Sequence, residues 1–265
     1  MPLMTASDGC RVHYEVRSQG EPVVLIPGLG GDGRFWEPVA DRLEGQFRLL
    51  LVDHRGAGRS DRPDGPYTIE AIAADVLAIM DAEGCSRAHI VGHSTGGMVA
   101  QTLALDAPAR IGSIVVSGSW PSPDARFRTL FRARLALLEA GRADIYQAFT
   151  HVLGYDADWI AAHAEELDAA TGRANENLAP LAVTAARIRM LLAYDRAADL
   201  GRIEAPTLVV GARDDAMIPF EQSERIARSI PGAKLVELDG GHFYPRTRAD
   251  LFARHVGKFL SGKSL

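Results

Sequence analysis

Acyl transfer at neutral pH needs a hydroxyl, a base to take its proton and an acid to orient the base. Three short stretches of this chain supply those groups. The segment Gly92-His93-Ser94-Thr95-Gly96-Gly97 follows the apolar run Ala88-His89-Ile90-Val91 and precedes the helical run Met98 to Leu105. A serine on a sharp strand-to-helix turn, with small residues two before and two after it, is held in a strained backbone conformation and projects its hydroxyl over the carboxyl edge of a sheet. The helix N-terminus beneath it carries unpaired N–H groups, of which that of Thr95 can point at a developing oxyanion.

Of eight histidines, His242 alone follows a late strand within a glycine-rich turn, Leu238-Asp239-Gly240-Gly241-His242-Phe243. That position puts it on the same rim as Ser94. His93 lies beside the serine and is expected to point elsewhere, His13, His89 and His255 read as strand or helix residues, and His54, His151 and His163 lack a comparable setting. For the acid, the strand Thr207 to Val210 runs into Gly211-Ala212-Arg213-Asp214-Asp215. Asp214 is the expected partner of His242, with Asp215 as its rival, and the acid not so used is expected to cap the following turn or helix.

Gly28-Leu29-Gly30-Gly31-Asp32-Gly33 also fits the dinucleotide fingerprint G-x-G-x-x-G, with Asp53 about twenty residues on. An NAD-dependent oxidoreductase is therefore the rival from another reaction class. Two features weigh against it. Asp53 continues into the glycine-rich loop His54-Arg55-Gly56-Ala57-Gly58-Arg59-Ser60, and the fingerprint leaves Ser94, Asp214 and His242 without a role. The same glycines let a loop fold against the nucleophile and bring the Leu29 N–H to the oxyanion as a second donor.

These groups need a scaffold that gathers strand ends on one rim. Val23 to Ile26, Leu49 to Val52, Ala88 to Val91 and Ile114 to Val116 are continuous apolar runs, as parallel strands buried on both faces require. Thr207 to Val210 and Leu235 to Leu238 continue the set, and Arg11 to Arg17 alternates as an edge strand would. Helical periodicity runs over residues 35–43, 68–83, 95–106, 220–229 and 249–260. Between about Trp120 and Leu200 the alternation stops and a helix-rich stretch opens at Pro121-Ser122-Pro123. The expectation is an α/β core of residues 1–120 and 201–265 with a helical cap of residues 121–200 inserted into it.

Taken in order, Pro27 to Gly31, Asp53 to Ser60, Gly92 to Gly97, Gly211 to Asp214 and Gly240 to His242 resemble the α/β-hydrolase superfamily along almost the whole chain. The resemblance implies a mostly parallel sheet with helices on both faces, a helical cap inserted after the sixth strand, and no organic cofactor or metal. Pro27 departs from the histidine many members carry there, which alters the oxyanion loop but not its backbone donors. A serine nucleophile separates the chain from the branches that use aspartate. Within the superfamily it resembles small capped hydrolases such as 3-oxoadipate enol-lactonases and aminoacrylate hydrolases, the segment Tyr155 to Ala162 and the exit Ser117-Gly118-Ser119-Trp120 resembling the latter in particular. The implied activity is hydrolysis of a small carboxylic ester, lactone or related acyl bond. A carbon–carbon hydrolase or cofactor-free perhydrolase on the same triad is the alternative, and a non-catalytic ligand receptor is a further one.

Trp120 and Phe243 are the expected walls of the acyl pocket, and a cap arginine among Arg126, Arg128, Arg132, Arg134, Arg187 and Arg189 is expected to pair with a substrate carboxylate. The net charge of -5 argues against a nucleic-acid or anionic-membrane partner, which needs a cationic face. No stretch is apolar enough to span a bilayer, and the N-terminal residues lack a basic region leading into an apolar one. Cys10 and Cys85 are too few for a disulfide framework. The expectation is a cytoplasmic protein acting on a small molecule, with a homodimer allowed.

Overall fold

A computed structural model describes residues 2–264 of the chain. Eight strands, β1 (Leu3–Thr5), β2 (Arg11–Arg17), β3 (Glu21–Ile26), β4 (Phe47–Val52), β5 (Ala88–His93), β6 (Ile111–Ser117), β7 (Thr207–Ala212) and β8 (Lys234–Leu238), form one sheet in the order β1-β2-β4-β3-β5-β6-β7-β8. From β4 to β8 all neighbours are parallel, while β2 pairs antiparallel with both β1 and β4. The expected edge strand Arg11 to Arg17 is therefore not the edge. Leu3–Thr5 covers its first half, and burial along it does not alternate.

The continuous apolar runs divide their side chains between two faces, as a two-residue period requires. Val24, Ile26, Leu50, Val52, Ile90 and Val116 belong to the core layer under α2 (Ile69–Ala82) and α3 (Thr95–Asp106). Val23, Leu25, Leu49, Leu51, Val91 and Val115 belong to the opposite layer, under α1 (Glu37–Leu43) and a C-terminal helix over Ala249–Leu260. Helix boundaries follow local chemistry. The Thr68 hydroxyl accepts from the Ala71 N–H at 3.1 Å and starts α2, an N-cap that satisfies a donor with no intrahelical partner.

Between β6 and β7 run α4 (Ala125–Glu139), α5 (Ala143–Gly154), α6 (Ala157–Ala162), α7 (Ala164–Gly172), α8 (Ala174–Asn177) and α9 (Leu181–Ala193), with no strand among the described residues. The Asp124 carboxylate opens α4 by accepting from the Phe127 N–H at 2.7 Å. Phe131 of α4 and Ile188 and Leu191 of α9 join the core layer under α3, which fixes this helical insertion to the sheet's carboxyl edge. The chain then continues through α10 (Phe220–Ser229), α11 (Tyr244–Thr247) and α12 (Ala249–Leu260). Because β4 and β5 flank β3 on opposite sides, the loops after β3 and β5 diverge at a topological switch point, where open α/β sheets form their ligand crevice.

Candidate active site

Ser94 sits between β5 and α3 at φ 55° and ψ −115°, a left-handed backbone that costs a non-glycine residue about 1–3 kcal/mol. Neighbouring contacts enforce it. A Cβ on Gly92 would lie 2.0 Å from the Gly96 carbonyl oxygen, and one on Gly96 would lie 2.0 Å from that of Ile26. Only glycine permits this approach of β5, β3 and the first turn of α3. The Ser94 N–H donates to the Ser117 carbonyl at 2.7 Å, tying the turn to the end of β6.

His242 lies in the loop after β8, 1% exposed, with Nδ1 2.7 Å from Asp215 Oδ2. The carboxylate on His242 is thus that of Asp215 and not that of Asp214, the expected partner. The turn after β7 closes through the Asp215 N–H on the Ala212 carbonyl and swings the second acid inward. There its Oδ1 also accepts from the N–H groups of Met217 at 2.8 Å and Ile218 at 2.7 Å. Asp214 faces outward, and its carboxylate accepts from the Gly240 N–H at 3.0 Å and the Gly241 N–H at 3.1 Å. It clamps the loop that carries His242 rather than capping a following helix. A carboxylate only accepts, so Asp215 fixes the proton on Nδ1 and leaves the Nε2 lone pair of His242 free for chemistry.

His93 does not point away from the site as expected. Its ring centroid is 4.7 Å from that of His242, and it stacks on Phe35 at 5.1 Å. Its Nδ1 is 3.1 Å from Ser117 Oγ, which is 2.6 Å from the Tyr244 hydroxyl, and that hydroxyl donates to the Val210 carbonyl at 2.8 Å. Burial, then the nearby His242, push the His93 pKa well below the usual histidine value. A neutral imidazole therefore backs His242 and does not compete with it as a cation.

Ser94, His242, Leu29 and Phe243 all open onto one cavity of about 560 Å³ between the strand ends and the insertion. The loop after β3 lies close to the serine, since a Cβ on Gly28 would be 3.2 Å from Ser94 Cβ. Trp120 does not line this cavity. It is 1% exposed and packs at 4.3 Å on Phe127, while the neighbouring Phe131 forms the wall. The glycine at 118, with φ 52°, turns the chain leaving β6 so that the indole enters the hydrophobic layer behind that wall. The Phe243 N–H donates to the Gly154 carbonyl at the end of α5 at 2.7 Å, joining the insertion to the histidine loop.

The candidate arginines separate cleanly. Arg126 and Arg128 donate to backbone carbonyls, Arg189 pairs with Glu139 at the surface, and Arg132 is exposed. Arg134 and Arg187 are 3% and 2% exposed and line the cavity. Arg134 Nη2 donates to the Tyr146 hydroxyl at 3.0 Å and to Thr150 Oγ1 at 2.9 Å, and its guanidinium lies 4.8 Å from the Tyr146 ring centroid. Arg187 Nη2 donates to His54 Nδ1 at 2.9 Å. Among the described residues neither guanidinium has a carboxylate partner, and the Nε of each lacks a hydrogen bond. Burial pushes the Arg187 pKa down to about 10, which leaves it cationic at neutral pH.

Asp53, the acid of the dinucleotide fingerprint, is fully buried and accepts from the Gly33 N–H at 2.8 Å, the Arg59 N–H at 2.8 Å and Arg59 Nε at 2.9 Å. Its oxygens hold the two glycine-rich loops together and do not face a ribose. No cluster of three or more histidine, cysteine or acidic side chains suited to a metal ion occurs among the described residues, and no helix is long and apolar enough to cross a membrane.

The sequence profile of the alpha/beta hydrolase fold family matches residues 21–155. A protein of Variovorax paradoxus that carries the name carbamate hydrolase RutD is 41% identical over 255 residues, covering 94% of this chain and 96% of that protein. A Caulobacter protein of the same name is 38% identical, covering 96% and 95%. Among solved structures, the enol-lactonase of Burkholderia xenovorans superposes with a TM-score of 0.90 at 27% identity, covering 98% of this chain and 100% of that one. Profile, relatives and architecture agree, and the chain belongs to the α/β-hydrolase family as one of its hydrolases.

Proposed function

We propose that the chain cleaves an acyl bond of a small carboxylate-bearing ester, lactone or related compound such as a carbamate, through a Ser94, His242 and Asp215 triad. The observation that carries this reading is the 2.7 Å contact of His242 Nδ1 with Asp215. It leaves Nε2 as the free nitrogen of a ring that shares its cavity with the serine on the strained turn.

In the first half-reaction His242 Nε2 takes the proton of the Ser94 hydroxyl while Oγ bonds to the carbonyl carbon. The charge that develops on the carbonyl oxygen is met by the backbone N–H groups of Leu29 and Thr95. Collapse breaks the bond to the leaving group, which receives the proton from His242, and an acyl-enzyme remains on Ser94. Water then gives a proton to Nε2 as its oxygen bonds to the acyl carbon; the bond from that carbon to Ser94 Oγ breaks, Oγ takes the proton back from His242, and the acid leaves. Asp215 stays ionised throughout and stabilises the imidazolium. Residues 121–200 serve as a cap over this chemistry, with residues 1–120 and 201–265 as its core.

Arg134 and Arg187 are what supports a carboxylate on the substrate. A buried cation without a counter-charge is costly, and two such guanidiniums facing one cavity make it a site for an anion.

Labelling with a fluorophosphonate probe and a panel of p-nitrophenyl esters tests the triad. Ser94→Ala and His242→Ala are expected to lower kcat by at least about 10⁴-fold, and Ser94→Ala activity equal to wild type would end the assignment. Mono-p-nitrophenyl glutarate against p-nitrophenyl valerate tests the anion, with the acidic ester expected to have the higher kcat/KM.

A further inference from the structure

The cavity arginine closest to the loop after β3 is held by a residue that sequence reasoning set aside. His54 is fully buried in the glycine-rich loop after β4. Its Nδ1 is 2.9 Å from Arg187 Nη2, and its backbone N–H donates to the Gly31 carbonyl at 2.7 Å. Gly31 is also where the guanidinium rests, since a Cβ there would lie 2.7 Å from Arg187 Nη2 and 3.0 Å from Nη1. The same loop carries Leu29, and it is closed by the Gly31 N–H on the Gly28 carbonyl at 2.9 Å.

A guanidinium only donates, so the His54 Nδ1 that meets it must present a lone pair and the ring proton sits on Nε2. Among the described residues that Nε2 has no hydrogen-bond partner. The imidazole is therefore committed to a single polar contact, the one with Arg187. An arginine side chain reaching from α9 has several rotatable bonds and would otherwise lose its aim. The imidazole removes that freedom from one side, and the glycine surface removes it from the other.

We infer that His54 is the positioning residue for substrate selection: its side chain aims Arg187 at the substrate carboxylate, and its backbone fixes the loop that carries the Leu29 donor, so the anion subsite and the oxyanion donor are set at one distance by one residue. This rests on the anionic-substrate reading above. It also gives selection by spacing, because only substrates whose carboxylate and scissile carbonyl match that fixed separation engage both.

The test compares kcat/KM for mono-p-nitrophenyl glutarate and p-nitrophenyl valerate in wild type, Arg187→Met, His54→Phe and His54→Asn. His54→Phe keeps the ring and removes the acceptor. His54→Asn restores an acceptor oxygen near the position of Nδ1. Loss of one hydrogen bond to a charged group corresponds to a fall of about 10- to 100-fold in the acidic-to-neutral selectivity ratio. His54→Phe is expected to show it mainly through KM of the acidic ester, with the smaller change on the neutral ester, and His54→Asn to recover most of it.

If Arg187→Met lowers the ratio while His54→Phe leaves it at the wild-type value, the role of His54 is overturned and the anion site stands. If Arg187→Met leaves the ratio unchanged, Arg187 does not hold the carboxylate and the proposal falls, and the anion reading falls with it when Arg134→Met is also without effect. Should His54→Phe not fold, nitrogen-15 spectra of the wild-type histidines decide: a His54 ring with Nδ1 unprotonated and shifted by Arg187→Met supports the contact, and a protonated Nδ1 overturns it.

Discussion

Asp214 and Asp215 are adjacent in the chain, yet one holds the backbone of Gly240 and Gly241 from outside while the other meets the ring of His242 from within. Two identical side chains on consecutive residues thus support the same loop in different ways. The expected kinetics separate them. Asp215→Asn should lower kcat by about 10³- to 10⁴-fold, because the amide no longer enforces the tautomer with Nε2 unprotonated. Asp214→Asn should keep most of kcat and lose about 1 kcal/mol of stability, the value of charge-assisted bonds weakened at an exposed site. Steady-state kinetics and urea unfolding of the two variants check this, and equal losses of kcat would refute the assignment of roles.

Gly96 and Gly30 both belong to glycine-rich motifs, but only one is constrained. A Cβ at Gly96 meets the Ile26 carbonyl oxygen at 2.0 Å, whereas one at Gly30 meets nothing within 4 Å. Gly96→Ala should destabilise by more than about 4 kcal/mol and yield little folded protein. Gly30→Ala should be tolerated, with a stability change within about 1 kcal/mol. Thermal melting distinguishes the two, and a well-folded Gly96→Ala variant would contradict the packing described for the turn.

Burial holds the pKa values of both His54 and His93 well below 6.5. Such histidines stay neutral in the fold while the unfolded chain binds protons below about pH 6.5. Their contribution is therefore complete above that pH and is lost as the pH falls toward the folded-state values. Each group adds a slope of up to about 1.4 kcal/mol per pH unit. Urea unfolding between pH 7 and pH 5.5 should show stability falling with acidification, and His93→Phe should make the fall shallower. A His93→Phe variant with the same slope as wild type would show that this ring does not stay neutral in the fold.

Among the arginines of the insertion, only the buried ones should govern substrate choice. Arg134→Met is expected to lower the acidic-to-neutral selectivity ratio by about 10-fold or more, while Arg126→Ala, Arg128→Ala, Arg132→Ala and Arg189→Ala should leave it within about twofold, since exposed charges are screened. The same pair of p-nitrophenyl esters reads both sets. A surface variant with the larger effect would move the anion site out of the cavity.

The sequence-based boundaries of the helices over residues 95–106, 220–229 and 249–260 coincide with those of the fold, because apolar periodicity reports directly on which face is buried. The serine turn was equally legible, since the glycines that permit it are part of the motif. Leu3–Thr5 was not legible as a strand: three residues are too few for a pattern, and its pairing with Arg11–His13 is a tertiary event. The choice between Asp214 and Asp215 depended on the direction of one turn, which composition does not encode. Trp120 is ambiguous for a related reason, as a large aromatic at a strand exit fits a pocket wall and the layer behind it equally well. His54 offered no local signal, because its significance arises only when α9 brings Arg187 across 133 residues of chain.

The bond from Phe243 to Gly154 also makes the histidine loop and the helical insertion a single mechanical unit. Excising residues 121–200 would therefore remove a support of the loop that carries His242 along with the roof of the cavity. On the proposed function, a shortened chain that retains the sheet is expected to lose turnover on small neutral esters as well as on acidic ones, so the insertion and the candidate site must be engineered together.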